Sequence, residues 1–423
     1  MSQYLDFVDL NYKPRRDDLI ALFRFEPNGV SVKEAAGAIA AESSNGTWTE
    51  LTTLKEHIRK IRARVFWIRG NYVKIAYPSV LFELGSMPQI YSAICGNIFG
   101  MKELKNLRLE DVTFPKAMID SFKGPLYDIQ DIRRYMKIYK RPLTATVPKP
   151  KVGMTAKEHA QVGYEAWVGG VDFLKDDENL TNQKFNRFKD RVKACAKMRD
   201  IAEKKTGEKK DYFINITAET EEMIKRAKFA KNYDFKYIMV DIVTAGWAGL
   251  QSIRNYCQDS KQAIHAHRAM HATFDRNLKH GISMLMLAKS ARLVGVNNIH
   301  VGTVVGKLVS PKEEVVSLQK AMECKYVKED LKNNVLKQDW HGIKNVWAVS
   351  SGGLEPGDMP YLMKLFGNNF VVQLGGGIHG HPAGTLAGAR ALRQAIDAVL
   401  ENKNLAEYAK NYVELKAALE HWK

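Results

Sequence analysis

Four consecutive charged residues, Lys175, Asp176, Asp177 and Glu178, follow a short apolar stretch in the segment GGVDFLKDDENL. Where a chain curls beyond a strand end, neighbouring carboxyl groups can point to one place, and their oxygens suit Mg²⁺. A protonated Lys175 is unfavourable beside a dication, but an uncharged amine can add CO₂ and become an anionic carbamate ligand. The segment therefore indicates a metal site of Lys175, Asp177 and Glu178. From these residues alone, a lysine–aspartate salt bridge is an equally good interpretation.

Histidine and arginine stand at the ends of two other apolar runs. HAHRAMH places His267 and Arg268 at the end of one run, and His300 ends another in IHVGTVVGKL. Arginine is the usual partner of an anionic group, and histidine is a candidate acid or base. A single histidine is more often structural than catalytic, but the shared position at run ends favours a common site.

The segment after His300 has the features of a mobile lid. Gly302 and Gly306 bracket an apolar loop, and Lys307 follows the second glycine. Glycines at the two ends of a loop can act as hinges. A lysine on such a lid can close over negative charge that develops during a reaction.

Two glycine clusters, SSGG at 350–353 and LGGG at 374–377, follow the last two apolar runs. In barrel enzymes the loops after the last two strands often form a phosphate site, because backbone N–H groups can approach the ligand there. A tight turn explains one cluster well and the pair poorly. GGGIHG also fits the dinucleotide pattern, but Asp397 falls inside a predicted helix and no strand follows, so we reject a dinucleotide site.

These residues become neighbours only if the chain brings its strand ends together. Eight short β-rich runs alternate with helical stretches such as 156–168 and 219–233. The runs end at Lys149, Lys175, Asn215, Asp241, His267, His300, Ser351 and Gly375. Eight strand–helix units predict an α/β fold, a closed (β/α)8 TIM barrel whose polar strand ends converge on one rim. An open, doubly wound sheet is the alternative, since alternation alone does not show closure.

Ahead of the barrel, the chain has the pattern of a small α+β domain. A strand is predicted at 17–27, a helix at 32–44, a hairpin around Gly70 and a helix at 87–100. The Gly-Pro pair within 122–128 marks a boundary. The expected domains are an α+β, ferredoxin-like domain over 1–123 and the barrel with C-terminal helices over 124–423.

The composition weighs against several classes of protein. The 423 residues carry 64 Lys and Arg against 47 Asp and Glu, a net charge of +17, but the basic residues are scattered. Nucleic-acid binding is therefore a weaker interpretation than general solubility. The four cysteines lie far apart, which argues against zinc and disulfides. Because the sequence has neither a secretory leader nor an apolar stretch of about 20 residues, we expect a cytoplasmic protein without membrane contact.

Together these features predict a Mg²⁺ enzyme with two anion sites that acts on a bisphosphorylated small molecule. The motifs GGVDFLKDDEN, KPKVG, HRAMHATFDR, HVGTVVGKL, SSGG and QLGGGIHGHPAG follow one another between residues 149 and 384. AAESSNGTWTE and GNIFGMKELKNLRLED precede them. In this order they closely resemble the large chain of ribulose-1,5-bisphosphate carboxylase/oxygenase (RuBisCO), and the compact length and N-terminus resemble the archaeal-type form III enzymes.

The resemblance implies a role for each matching residue. Lys175 is implied as the carbamylated ligand, and Asp177 and Glu178 complete the protein's share of the Mg²⁺ shell. The implied catalytic residues are Lys149, Lys151, Lys175, His267 and Lys307. The implied substrate-binding residues are Glu42, Thr47, Trp48, Asn97, Arg268, His300, Ser351, Gly352, Gly353, Gly375 and Gly376. Since Glu42 and Asn97 are implied to act in a neighbouring subunit, at least a dimer is expected.

The implied reaction is the carboxylation of ribulose 1,5-bisphosphate by CO₂ to two 3-phosphoglycerates, with oxygenation by O₂ as a side reaction. The form III resemblance implies a homo-oligomer built from dimers, without a small subunit, in nucleotide-ribose salvage. Two alternatives are a RuBisCO-like enolase or isomerase acting on a phosphorylated thio-sugar, and a non-catalytic basic binding protein. Val147, Val301 and Val309 replace hydroxyl or acidic residues that are common in the family. These departures concern rate and the CO₂/O₂ selectivity more than the reaction type.

Overall fold

The chain folds into two compact units. The computed structural model describes residues 3–306 and 310–422. One unit consists of residues 1–124, 270–294 and 324–343, and the other of 125–269, 295–323 and 344–423. The break after Gly124 lies within the segment where the sequence marks a boundary. The return of two later segments to the N-terminal unit was not anticipated.

Eight parallel strands close into a barrel in the second unit. From the first to the eighth barrel strand they are Leu143–Thr146, Phe173–Lys175, Asp211–Asn215, Tyr237–Asp241, Ala263–His267, Asn298–His300, Trp347–Ser351 and Phe370–Leu374. The ring follows chain order, and the eighth strand pairs with the first. The predicted barrel is confirmed, and the open sheet is wrong.

The first barrel strand ends three residues earlier than the apolar run suggested. Its last residue is Thr146, although the run continues to Lys149. Pro148 and Pro150 have no N–H to donate, so this stretch cannot continue the ladder. Lys149 therefore stands on a loop beyond the strand.

Aromatic rings fill the interior of the barrel. Phe173 and Phe213 stack with ring centroids 4.5 Å apart, and Tyr237 contacts both rings edge-on at 5.3 and 4.9 Å. All three side chains are buried. Because the interior is packed, the carboxyl ends of the strands are where a ligand can be bound.

Helices surround the barrel and extend beyond its last strand. They are Ile129–Met136, Ala156–Val168, Phe188–Thr206, Thr220–Lys231, Ile242–Ser260, Lys312–Glu323, Met359–Phe366, Gly376–His379, Gly384–Leu400, Leu405–Tyr408 and Val413–His421. Thr155 caps the second of them in a capping box with Glu158, which fixes where that helix begins. None of the helices among the described residues is long and apolar enough to cross a membrane.

The N-terminal unit is built on a five-stranded sheet. The strand order is Gly281–Ile282, Leu104–Thr113, Asp18–Pro27, Tyr72–Pro78 and Arg64–Arg69. Its helices are Val32–Glu42, Glu56–Lys60, Met87–Ile94, Lys116–Asp120, Ala272–Asp275 and Met284–Val294, and a small second sheet pairs Tyr326–Val327 with Gln338–Asp339. The predicted α+β architecture and the hairpin are confirmed. The predicted helix 87–100 is wrong in its second half, because Gly96 has a non-helical ψ of −134°.

Candidate active site

Lys175 is the last residue of the second barrel strand and is almost completely buried. Its Nζ donates a hydrogen bond to the carbonyl oxygen of Asp176 at 2.8 Å. Asp177 and Glu178 follow Lys175 by two and three residues along the chain. Burial lowers the pKa of Lys175, and the carboxylates of Glu178 and Asp177 oppose that shift only in part. A larger fraction of the amine is therefore uncharged than in an exposed lysine.

Asp177 lies between two lysines just beyond the strand. Lys149 Nζ is 3.2 Å from Asp177 Oδ2, and Asn179 donates to Oδ1 through both its backbone and its side chain. Burial would raise the pKa of Asp177, but the Asn179 hydrogen bonds, Lys149 and Lys175 outweigh it and lower that pKa. Asp177 is thus held as a carboxylate. A Cβ on Gly375 would lie 3.0 Å from Lys149 Cε, so a larger residue at position 375 would crowd the Lys149 side chain.

His267 ends the fifth barrel strand and joins Asp241 to Glu178. Its Nδ1 is 2.5 Å from Asp241 Oδ1, and its Nε2 is 3.7 Å from Glu178 Oε2. Burial and the charge of Lys175 lower the pKa of His267, although Asp241 opposes them. A carboxylate at Nδ1 favours the tautomer with the proton on that nitrogen. The Asp241 contact is shorter than both the 3.7 Å approach of Glu178 to Nε2 and the 3.2 Å hydrogen bond that the Ala269 N–H donates to Nδ1, so we place the proton on Nδ1 and leave Nε2 able to accept one.

His300 ends the sixth barrel strand and links three strand ends. Its Nδ1 is 2.8 Å from Ser351 Oγ, its Nε2 is 3.0 Å from His265 Nε2, and its ring centroid is 5.0 Å from that of His267. Burial and the two neighbouring histidines keep the pKa of His300 well below its usual range. We infer that His300 is neutral and acts through hydrogen bonding.

The loop after His300 lies against the glycine cluster of the seventh strand. A Cβ on Gly306 would lie 2.7 Å from the carbonyl oxygen of Gly352 and 2.9 Å from that of Gly353. A Cβ on Gly302 would lie 3.1 Å from Arg268 Nη2, which places that guanidinium beside the start of the loop. Lys307 and Val309 lie outside the described residues.

The remaining predicted residues lie on both units. Lys151 is exposed on the barrel unit. Gly376 has open space where a side chain would be. In the N-terminal unit, Glu42 accepts a 3.5 Å hydrogen bond from the Tyr4 hydroxyl, Thr47 is half-buried, Asn97 is exposed and Trp48 is 79% exposed. These four residues belong to the N-terminal unit, whereas the strand-end residues belong to the barrel unit.

A buried network around Asp176 was missed by the sequence analysis. Asp176 Oδ1 is 3.1 Å from Arg191 Nε, and the Tyr212 hydroxyl donates to the same oxygen. Asp176 Oδ2 accepts from the backbone N–H of Asn215 at 2.9 Å. Asp176 and Arg191 are completely buried. Asp176 is thus a positioning residue that fixes the chain between Lys175 and Asp177. Because successive side chains of an extended chain point to opposite sides, the sequence could have predicted that Asp176 points away from its two neighbours.

Two further missed residues hold the histidines. Asp241 orients His267, and His265 contacts His300. Asp241 ends the fourth barrel strand, so its polar character at a strand end was a usable signal. His265 stands two residues before His267 on the fifth strand. Because residues two apart in a strand point to the same face, the sequence could have predicted that the two histidines share a face.

The fold and the strand-end residues define a (β/α)8 enzyme whose acidic and basic groups surround one buried lysine. Residues 128–422 match the catalytic domain of the ribulose bisphosphate carboxylase large chain, and residues 6–118 match its N-terminal domain. The chain belongs to the RuBisCO large-chain family, and it is therefore an enzyme of the carboxy-lyase class.

Relatives match the chain over nearly its whole length. A ribulose bisphosphate carboxylase of Pyrococcus abyssi is 52% identical over 423 residues, covering 99% of this chain and 96% of the relative. The octameric RuBisCO of Pyrococcus horikoshii OT3, solved with sulfate, has a TM-score of 0.93 at 51% identity and covers 99% and 96% of the two chains. The dimeric archaeal RuBisCO of Hyperthermus butylicus has a TM-score of 0.94 at 46% identity, with 99% of both chains covered. The predicted resemblance to archaeal enzymes is confirmed.

Proposed function

We propose that this chain carboxylates ribulose 1,5-bisphosphate to two molecules of 3-phosphoglycerate in a Mg²⁺-dependent reaction, with oxygenation as a side reaction. The observation that carries the proposal is the buried Lys175 at the end of a barrel strand, followed directly by a segment that holds Asp177 and Glu178. Family membership supports the reaction class, and the local geometry supports the assignment of this lysine.

Activation begins with CO₂ and the uncharged form of Lys175. The nitrogen lone pair forms a bond to the carbon of CO₂ while one C–O π bond becomes an oxygen lone pair, and the nitrogen releases a proton to solvent, which leaves an anionic carbamate. Within the described ranges, no group of three or more His, Cys, Asp or Glu side chains is placed to hold a metal ion. A carbamate would add an oxygen donor to Asp177 and Glu178, and such hard oxygen ligands suit Mg²⁺. When bound, the ion supplies positive charge beside oxygens on which negative charge develops.

The surrounding residues handle protons and charge. His267 presents Nε2 as a proton acceptor, and Asp241 stabilises the imidazolium that results. Lys149 is held at Asp177 and can return a proton to the product, with Lys151 following it on the same loop. We assign to Lys307 the role of closing over the new carboxylate.

Two anion sites hold the ends of the substrate. Gly353, Gly375 and Gly376 offer backbone N–H groups for one phosphate, and Gly376 has no neighbour in the way of a ligand. Arg268 and His300 serve the other phosphate, and Ser351 and Gly352 lie on the loop beside the sugar hydroxyls. By resemblance to the family, we also assign Thr47 and Trp48 to binding of the first phosphate.

We propose an oligomer built from dimers, in which Glu42 and Asn97 of one chain complete the site of its neighbour. The relatives of known structure are described as dimeric or octameric. No small subunit is expected. The proposed physiological role is the salvage of nucleotide ribose in the cytoplasm.

A fixation assay tests the function. Purified protein is pre-incubated with CO₂ and Mg²⁺, and radiolabelled CO₂ and ribulose 1,5-bisphosphate are then added. We expect acid-stable label in 3-phosphoglycerate, a loss of activity without pre-incubation, and no activity in Lys175→Met. Label that never enters an acid-stable product would overturn the proposal, whatever the state of Lys175.

A further inference from the structure

A cavity lies on the sheet of the N-terminal unit, apart from the candidate active site. Its volume is about 810 Å³, and it is bounded by the strands and by residues of the segment 331–334, all within this unit. Sites for small molecules commonly measure about 300–1,000 Å³. The cavity is therefore large enough for a metabolite.

The strand registers explain which side chains reach this cavity. Arg24 lies opposite Tyr72, and Tyr72 lies opposite Arg69 in the hairpin. Side chains directly opposite one another across a strand pair share a face of the sheet, and so do those two residues further along. Two rows therefore share one face: Arg24–Tyr72–Arg69 and Leu22–Lys74–Trp67.

The charge of the cavity is positive. Arg24, Arg69 and Lys332 line it, and no aspartate or glutamate is among its lining residues in the described part of the chain. Lys74 lies in the same face but pairs with Glu329 at 2.8 Å. Arg24 likewise pairs with Glu26 at 2.8 Å, so Arg69 and Lys332 give the cavity its net affinity for anions.

Arg24 has an unused donor. Its Nη2 donates to Glu26 Oε1 at 2.8 Å, whereas its Nη1 is buried and has no hydrogen-bond partner among the described residues. Buried guanidinium nitrogens are nearly always satisfied, since a charged donor without an acceptor is costly. Because Nη1 is itself buried, an anion in the cavity would act on this guanidinium through its charge and not as a direct hydrogen-bond acceptor.

Aromatic side chains stand beside the cations. Trp67 and Tyr72 both line the cavity. Lys74 Nζ lies 5.2 Å from the Trp67 ring centroid, and the Tyr72 hydroxyl accepts a 3.5 Å hydrogen bond from Asn334 Nδ2. Rings next to cations suit a ligand that joins an anionic group to a flat organic one.

We propose that this cavity binds a small organic phosphate of the nucleotide class. Its phosphates contact Arg69 and Lys332, and its ring packs against Trp67 and Tyr72. The site uses none of the residues assigned to carboxylation, so the two proposals stand or fall separately.

Calorimetric titration of the full-length protein with ADP tests the proposal, with pyrophosphate as the ringless comparison. The test variant is the double substitution Arg69→Ala with Lys332→Ala. Lys33→Ala, which removes an exposed lysine on another element of the same unit, is the matched control. Arg268→Ala separates this site from the proposed phosphate site of the barrel. A thermal unfolding scan of each variant verifies folding. Tryptophan fluorescence is recorded during an ADP titration as a second signal, and Trp67→Phe shows whether that signal comes from the cavity.

We expect one ADP per subunit, bound at least about tenfold more weakly by the double variant and unchanged in Lys33→Ala and Arg268→Ala. Pyrophosphate should bind about tenfold more weakly than ADP, and Trp67→Phe should abolish the fluorescence response. ADP binding that survives the double substitution overturns the proposal, and so does the absence of binding. Loss of ADP binding in Arg268→Ala would place the nucleotide in the barrel, which refutes the second site and leaves the proposed carboxylation intact.

Discussion

Lys175 and Lys210 are two buried lysines whose surroundings differ. Lys210 Nζ is 2.7 Å from Glu208 Oε2, so a carboxylate holds its charge, whereas Lys175 Nζ donates to a backbone carbonyl oxygen at 2.8 Å. Burial lowers the pKa of both amines. Carbamylation requires an uncharged amine with room for CO₂. The direct ion pair of Lys210 opposes it, and the carboxylates near Lys175 can share a metal with the carbamate.

A carbon-13 experiment checks this difference. Protein equilibrated with labelled CO₂ and Mg²⁺ should show one carbamate resonance per chain, because Lys175 combines a lowered pKa with nearby carboxylates that could share a metal with the carbamate. Lys175→Met should remove the resonance, and Lys210→Met should keep it. A signal that persists in Lys175→Met would assign the modification to another amine.

The pH dependence of activation follows from the same pKa. CO₂ reacts with the uncharged amine, so activation is complete above the pKa of Lys175 and is lost as the pH falls through it. Because burial lowers this pKa, the midpoint should lie below the ordinary value of a lysine amine. The measurement varies the pH of the pre-incubation at constant dissolved CO₂ and assays every sample at one pH. A midpoint at or above the ordinary lysine value would contradict the assignment.

Asp176 and Asp177 are adjacent carboxylates with different tasks. Asp176→Asn leaves the buried guanidinium of Arg191 without its charge partner, so the free energy of unfolding should fall by about 3–5 kcal/mol. Asp177 pairs with the partly exposed Lys149, and Asp177→Asn should change that free energy by only about 0–1 kcal/mol. Urea denaturation checks both values. Equal losses in the two variants would mean that Asp176 has no special structural role.

At the scale of elements, the loop after the sixth barrel strand depends on Gly306. It has a φ of +87°, and a Cβ there would meet backbone oxygen of Gly352 at 2.7 Å. Gly207 ends a helix with a φ of +70° and open space around its Cβ position. The two glycines thus share the sign of φ, and they differ in whether backbone lies in the way of a side chain.

Alanine substitutions at Gly306 and Gly207 distinguish the effect of backbone strain from the effect of displacing the loop. Each substitution should lower the free energy of unfolding by about 1 kcal/mol through the positive φ. Only Gly306→Ala should also push the loop off the glycine cluster, and its carboxylation rate should fall by roughly 10- to 100-fold, since small misplacements of a catalytic loop are costly. The assay is CO₂ fixation after full activation. A comparable loss of activity in Gly207→Ala would show that stability alone explains the effect.

The sequence predicted the barrel because each strand is a short apolar run with a polar end. Local pattern carries that information, and it also located Lys175, His267 and His300 at strand ends. The end of the first strand was harder to predict, because the apolar run continues through Pro148 although proline has no N–H for the hydrogen bonds between strands.

What the sequence left undetermined depends on long-range contacts. The strand Gly281–Ile282 pairs with Leu104–Thr113 of the N-terminal sheet, and two residues carry too little pattern to be assigned a partner more than 160 positions away. The network of Asp176 likewise draws Arg191 from a helix and Tyr212 from the next strand. Such partners become visible only when the strands are in place.

For the whole molecule, the open question is which chain completes each site. Trp48 is 79% exposed and Asn97 is exposed, so the N-terminal unit presents predicted substrate-binding residues on its surface. Large exposed aromatic side chains are common where a protein binds a partner. A second chain is therefore the expected partner of this surface, and the arrangement can be tested by mixing defects.

Co-expression of two inactive variants distinguishes completion by a neighbour from completion within one chain. Lys175→Met damages the barrel, and Glu42→Gln damages the N-terminal unit. If each site combines the barrel of one subunit with the N-terminal unit of another, random assembly of equal amounts of the two variants gives about one quarter of sites with an intact barrel and an intact N-terminal unit. Activity should then recover to about a quarter of the wild-type value per chain. Lys175→Met co-expressed with His267→Asn is the matched control, because every barrel then carries a defect and no recovery is expected. If the first pair stays as inactive as the second, each chain completes its own site and the proposed dimeric unit is wrong.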